Sequence, residues 1–500
     1  MSDSSYRTIL RSSSIIGGAQ VINIAVGLVK MKVLAVLLGP AGVGLAGLYL
    51  SLIQTGATIA SLGVGTVGTR QIAAAKAEGG DIAVGRTRRA LFWGTLILAG
   101  IGALIFWLAS GWIARIVLAD ESRAGDVAWL AAGVALSVAA GSQGAVLAGL
   151  RRIGDQARIA VLGGVISAIL GVLALWLWGA QGLLVMILVA PVVSFVLGHI
   201  YVARLGPPVG LPTRLPEMTK EWQAMLSLGF AFMLSGLVTV LGHLAVRTLV
   251  QRELGSDALG QFQAAWAIGM TYLGFVLGAM GADYYPRLTA AIKDHPTAVR
   301  LVNEQTEVAL LLCAPVLLVM LGFAPLVIRL LYTAEFAPAV EILRWQLLGD
   351  VLKVMSWPLG FVILACGAGK TFLFTETLAM GVFVLGVLIG LPLIGVTATG
   401  VAFLAMYVVY LPLVWWLGVR RIGFRWSRAV GMQAAAVITA AVIVDGAARW
   451  SDPAGAVLGV ALAVASGLWA LVRLSTMTEA GGRLGRIAAA GERLQIWMKR

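Results

Sequence analysis

Asp350 and Lys353 stand in the run Leu348-Gly349-Asp350-Val351-Leu352-Lys353, with apolar residues before it from Trp345 and after it from Trp357 to Cys366. At i and i+3 a carboxylate and an ammonium share one face of a helix. Inside a bilayer each costs roughly 2.5–3.5 kcal/mol. Such charges face a water-filled path, a charged cargo, or each other. One reading makes them an ion pair that only stabilises packing. The other makes Lys353 a grip for an anion and Asp350 a proton acceptor. Lys30, Lys32 and Arg247 are further cations at or inside apolar stretches. Cations that converge from two halves of a chain suit a diphosphate, which Arg binds in a bidentate way and Lys as a point charge. The plainer alternatives are snorkelling for Lys30 and Lys32 and interfacial anchoring for Arg247. Asp283 and Glu376 join Asp350 as candidates for ion coupling or gating. Glu304 and Glu307 fit a solvated helix start.

These charges need elements that can hold them in lipid. The chain has 500 residues, 60% of them hydrophobic and 12% charged, with a mean hydropathy of +0.93. Apolar stretches of about 20 residues recur along its whole length, each long enough to cross a bilayer as a helix. Fourteen candidate spans fall at about 13–37, 43–68, 90–114, 126–150, 157–178, 182–203, 224–246, 258–283, 306–331, 340–366, 371–391, 395–419, 428–446 and 453–473. No stretch is left for a soluble domain. The fold class is an all-α polytopic membrane protein.

The formal charge of +14 admits nucleic-acid binding, but the positive-inside rule explains it better. With a cytoplasmic N-terminus, 27 of the 37 Lys and Arg fall on the cytoplasmic side and 7 on the other. That bias puts both termini in the cytoplasm. An uncleaved first helix accounts for the basic N-terminus better than a signal peptide does.

Pro207, Pro208, Pro212 and Pro216 mark a linker between halves. A shift of 216 residues superposes Gly39 on Gly255, Gly44 on Gly260 and Gly65 on Gly281, and brings Lys32 to within one residue of Arg247. Two six-span copies in the same orientation imply pseudo-symmetric lobes with a site between them. The expected organisation is 1–215 (first lobe), 216–425 (second lobe), 426–475 (two extra spans) and 476–500, a basic amphipathic helix on the cytoplasmic leaflet.

Several motifs mislead. Gly63-Val64-Gly65-Thr66-Val67-Gly68 has dinucleotide-binding glycine spacing but no strand or βαβ unit around it. Gly367-Ala368-Gly369-Lys370-Thr371 resembles the end of a phosphate loop, yet Leu364 stands where its first glycine belongs. His199, His243 and His295 have no ligand spacing, and His243 fits packing better than proton relay. Cys313 and Cys366 fall inside spans as ordinary small residues. No resident cofactor is expected.

Four stretches carry a family resemblance. They are Lys32-Val33-Leu34-Ala35-Val36-Leu37-Leu38-Gly39-Pro40-Ala41-Gly42-Val43-Gly44; Leu259-Gly260-Gln261-Phe262-Gln263; Met280-Gly281-Ala282-Asp283-Tyr284-Tyr285-Pro286-Arg287-Leu288-Thr289; and Trp345 through Lys353. From about residue 10 to 425 the chain resembles the Wzx-type O-antigen translocases, lipid-linked oligosaccharide flippases of the MOP (MATE-like) superfamily. The resemblance implies a non-enzymatic flippase in a bacterial inner membrane. Such a protein carries undecaprenyl-diphosphate-linked oligosaccharide between leaflets by alternating access. It implies membrane lipids, a polysaccharide polymerase and a chain-length regulator as partners. A lipid II flippase or a drug/cation antiporter would share the fold. A membrane polymerase or ligase fits less well, because the outward loops are short and none combines an acid with a histidine.

Overall fold

The computed structural model describes residues 3–207 and 215–477, and every regular element among them is helical. The α-helices are α1 (Asp3–Ser61), α2 (Val64–Glu78), α3 (Gly80–Leu108), α4 (Ser110–Ile113), α5 (Ala124–Gly149), α6 (Ile153–Trp178), α7 (Gly182–Ala203), α8 (Leu215–Ala291), α9 (His295–Gly322), α10 (Ala324–Leu331), α11 (Ala339–Ala365), α12 (Gly369–Ile394), α13 (Ala398–Ile422), α14 (Arg428–Trp450) and α15 (Asp452–Met477). The amphipathic tail expected over 476–500 and most of the proline-rich linker lie outside the described residues. Ten segments are long and apolar enough to cross a bilayer. Four of these, 45, 51, 46 and 54 residues long, each hold two helices or helix halves, and they cover eight of the fourteen spans expected from hydropathy.

Helices dominate because lipid offers no partner for a bare N–H or C=O. The breaks inside the longest helices therefore sit at glycine. Gly39 (φ 60°, ψ −163°) interrupts α1, and Pro40 opens its second half, where a missing N–H costs nothing. Gly255 (φ 83°, ψ −178°) interrupts α8 at the position 216 residues later. The same shift carries Ile153–Trp178 onto 369–394, the bounds of α12, and Ala124–Gly149 onto 340–365, one residue from those of α11 at its start. The repeat thus keeps its register across the matched helices.

The repeat departs at one place. The second span, expected to reach residue 68, stops at Ser61. Leu62 and Gly63 take positive φ (46° and 74°), and α2 leaves as a separate helix. Val64, Val67 and Ile72 of α2 pack on Ala90, Leu91 and Val146. The counterpart of Gly63 is Ala279, and α8 runs on through it. Lipid-facing tryptophans crowd one end of α3 to α6: Trp107, Trp112, Trp129, Trp176 and Trp178 are all exposed, as a headgroup-level belt requires.

Two compact units emerge from the packing. The first holds residues 1–263 with 331–335, and the second holds 264–330 with 336–500. In the first unit α1, α5, α6 and α7 pack together and α3 lies on α5. In the second, α11 and α12 pack on α13, while α9 packs on α15 and α14.

Ion pairs hold α14 and α15 in the second unit. Glu341 of α11 bridges Arg344 (3.2 Å) and Arg449 (2.6 Å), Arg344 also meets Asp452 (3.1 Å), and Arg449 meets Asp445 (2.8 Å). At the other end Arg473 meets Glu307 at 2.7 Å. Glu307, expected on a solvated helix start, is instead buried, because α14 and α15 cover that face of α9. Arg344 is only 4% exposed, so losing a carboxylate partner strands a cation. Glu341→Gln is expected to lower stability by about 1–2 kcal/mol, the value of a charged hydrogen bond reduced for the half-exposed carboxylate. Thermal unfolding of the purified protein checks this, and an unchanged midpoint would rule out a structural role for the bridge.

Candidate functional site

Lys353 and Glu376 come together in a cavity of about 250 Å3 inside the second unit. α11 supplies Lys353, Ser356 and Trp357; α12 supplies Glu376; α13 supplies Tyr407 and Tyr410. The Tyr410 hydroxyl donates to Glu376 Oε1 at 2.9 Å, which holds the carboxylate on one rotamer. The Lys353 ammonium lies 3.3 Å from Met270 Sδ and 5.8 Å from the centre of the Phe403 ring. A thioether and an aromatic face are weak partners for a cation.

Asp350 lies deeper on α11 and is fully buried. The Tyr272 hydroxyl donates to its Oδ2 at 3.4 Å, and Oδ1 has no partner. Gln346, one turn earlier, is also fully buried, with neither amide atom bonded. The direct i, i+3 ion pair that one reading allows is not made: Asp350 turns to Tyr272 and Lys353 to Met270. Both partners project from α8.

The other predicted residues lie elsewhere. Asp283 is 74% exposed and pairs with Arg287 at 3.1 Å, so it stands outside this cavity. Lys30, Lys32 and Arg247 belong to the first unit. Lys30 is half-buried on α1. The Lys32 ammonium donates to the Tyr332 carbonyl. Arg247 is 7% exposed; its Nε donates to Gln263 Oε1 at 3.1 Å, its guanidinium reaches the His243 carbonyl at 3.2 Å, and it lies over the Phe262 ring. Arg247 is thus held inside the first unit. His243 serves it through a main-chain oxygen.

Residues 331–335 complete the first unit from a distant part of the chain. Tyr332 meets Lys32, and the Glu335 carbonyl accepts from Gln261 Nε2 at 2.8 Å. A Cβ on Gly39 would lie 3.1 Å from Glu335 Oε2. Sequence reading missed this segment, along with Met270, Tyr272 and Tyr410. The hydroxyls within apolar spans were the available signal for the two tyrosines; nothing marked residues 331–335.

A fully buried carboxylate, with an ammonium one turn later on the same helix, marks a functional site inside an all-helical membrane protein. The chain belongs to the polysaccharide biosynthesis protein family, whose description matches residues 9–291. It is 24% identical over 400 residues to the lipid III flippase of Escherichia coli (strain K12), covering 78% of this chain and 94% of that one. Among solved structures it resembles the lipid II flippase MurJ in an inward closed conformation, with a TM-score of 0.68 at 10% identity over 93% of this chain and 99% of that one. It also resembles an inward-facing multidrug resistance MATE family transporter of the MOP superfamily, with a TM-score of 0.64 at 17% identity over 81% and 98% of the two chains. At such identities the structures speak for a shared fold.

Proposed function

We propose that this protein is a flippase that moves an undecaprenyl-diphosphate-linked oligosaccharide from the cytoplasmic to the periplasmic leaflet of a bacterial inner membrane. The observation that carries this reading is the ammonium of Lys353 held in a cavity without a direct carboxylate partner, beside a carboxylate fixed by Tyr410. A diphosphate would pair with an ammonium that makes no direct salt bridge to Glu376 or Asp350. Lys32 and Arg247 are the candidate cations of the first unit for an anionic cargo. The lipid tail would stay in the bilayer while the headgroup crosses by alternating access. The lipid III flippase relative supports a lipid-linked cargo. Its repeating glycan, O-antigen or exopolysaccharide, is the finer part of the proposal. H+ or Na+ would drive the cycle through Asp350 and Glu376. A polysaccharide polymerase and a chain-length regulator would take the product.

A cationic drug as cargo would need an exposed acid in the cavity, whereas Glu376 is engaged by Tyr410 and lies beside an ammonium. In a strain lacking its own copy of the gene, Asp350→Asn and Lys353→Ala are expected to lower surface polysaccharide at least tenfold, with the protein still present in the membrane. Wild-type polymer from both variants would remove these residues from the site. Rescue of a strain lacking its lipid II flippase, with no rescue of polymer export, would move the cargo to lipid II.

A further inference from the structure

The first unit holds a second, open cavity of about 680 Å3, lined by the second half of α1 with α2, α3, α5 and α7. Its walls are mostly apolar, set with the polar side chains of Gln54, Thr58, Thr95, Ser137, Ser142 and Ser194, and among the described residues no charged side chain lines it. Under the shift of 216 residues, Ser137 falls on Lys353 and Ser194 on Tyr410, while Gly141 falls on Trp357 and Pro191 on Tyr407. Ala160 stands where the second unit has Glu376. The two cavities thus share one matched wall, α5 with α7 in the first unit and α11 with α13 in the second. One carries an ammonium, a carboxylate and aromatic rings. The other carries hydroxyls.

We infer that the cavity of the first unit is a subsite for the uncharged sugar rings of the cargo, an inference that rests on the flippase reading above. A hydroxyl both donates and accepts, so hydroxyl side chains match sugar hydroxyls without fixing which one they meet. The Thr58 hydroxyl donates to the Gln54 carbonyl at 2.8 Å and Thr95 donates to Ser142 at 2.8 Å, which leaves their lone pairs to accept from a ligand. The volume lies within the range of small-molecule sites, about 300–1,000 Å3. The scattered polar groups give sugar hydroxyls hydrogen-bond partners, and the apolar wall between them suits the C–H faces of sugar rings. With no counter-ion for a phosphate and no acid for a cation, neither kind of charge is favoured there. With no aromatic platform, no one face of a ring is selected. Weak, unregistered contacts of this kind let a glycan enter and also leave.

The test uses the purified full chain in vesicles of phosphatidylethanolamine and phosphatidylglycerol. Two cargoes share one lipid diphosphate, the first with a single hexose and the second with a neutral tetrasaccharide. In the triple variant Gln54→Leu, Thr58→Val, Ser194→Ala, the ratio of tetrasaccharide to monosaccharide transport is expected to fall about tenfold. The isosteric Thr58→Val alone is expected to move that ratio about twofold the same way, which keeps the test sound if the triple variant folds poorly. An unchanged ratio in both variants overturns the subsite. Wild-type protein that moves neither cargo overturns the flippase reading instead.

Discussion

Gly260→Ala is expected to leave much less folded protein than Gly274→Ala, although both add one methyl group to α8. A Cβ at 260 would lie 2.0 Å from the Pro40 oxygen and 2.5 Å from the Pro40 carbon. Its repeat counterpart, Gly44, meets the same crossing from the other side, where a Cβ would lie 2.5 Å from the Ser256 oxygen and 2.7 Å from the Gly260 nitrogen. Every one of these neighbours is main chain, so no rotamer change can make room. The helices must separate, and the breaks at Gly39 and Gly255 lie only a turn away on each. Small residues that let backbones approach are the main source of helix association in lipid. Overpacking of this kind costs typically 1–3 kcal/mol and occasionally more. At Gly274 a Cβ meets nothing within 4 Å, and the gain in helix propensity is about 1 kcal/mol. Survival of each variant after heating in detergent, read by size-exclusion chromatography, compares them. Equal survival would mean that the crossing is looser than the geometry indicates.

The pair Gly44 and Gly260 also shows what a sequence of this kind reveals. A bilayer imposes length and apolarity on each span, so fourteen crossings could be counted from hydropathy. The glycines at 39 and 255 could be matched because only a residue without a side chain tolerates those breaks in lipid. Facing was harder to read. Long spans such as α11 and α12 are apolar around most of their circumference, so hydropathy does not say which side is buried. Asp283, a gating candidate from the sequence, is exposed and paired with Arg287. Glu307 was read as exposed and proves buried under α14 and α15. Its partner, Arg473, lies 166 residues later, a distance no local pattern reports. The same blindness hid Met270 from Lys353 and Tyr410 from Glu376. Chemical inequality of the lobes could be expected from the lone Asp350 and Lys353. That Ser137 occupies the place of Lys353 becomes meaningful only once both are seen to line cavities.

Lys353→Met is expected to lower transport by about 10- to 150-fold while the protein remains folded. A contact between a charged donor and an anion contributes about 1.5–3 kcal/mol, and each 1.36 kcal/mol is a factor of ten. Methionine keeps an unbranched apolar side chain of similar length, and a thioether packs well against Met270 and Phe403, which surround the ammonium now. Two roles for Lys353 predict different behaviour in a second variant. If the ammonium serves only to offset the buried Asp350, then Asp350→Asn combined with Lys353→Met removes both charges and restores transport. If it grips the diphosphate, the double variant transports no better than Lys353→Met alone. The absence of a direct ion pair favours the second outcome, because Asp350 already takes its hydrogen bond from Tyr272. Rates measured in vesicles for the wild type, both single variants and the double variant give the coupling between the two sites. A coupling that returns the double variant to wild-type rates would make Lys353 a structural counter-charge and shift the cargo-binding role to Lys32 and Arg247.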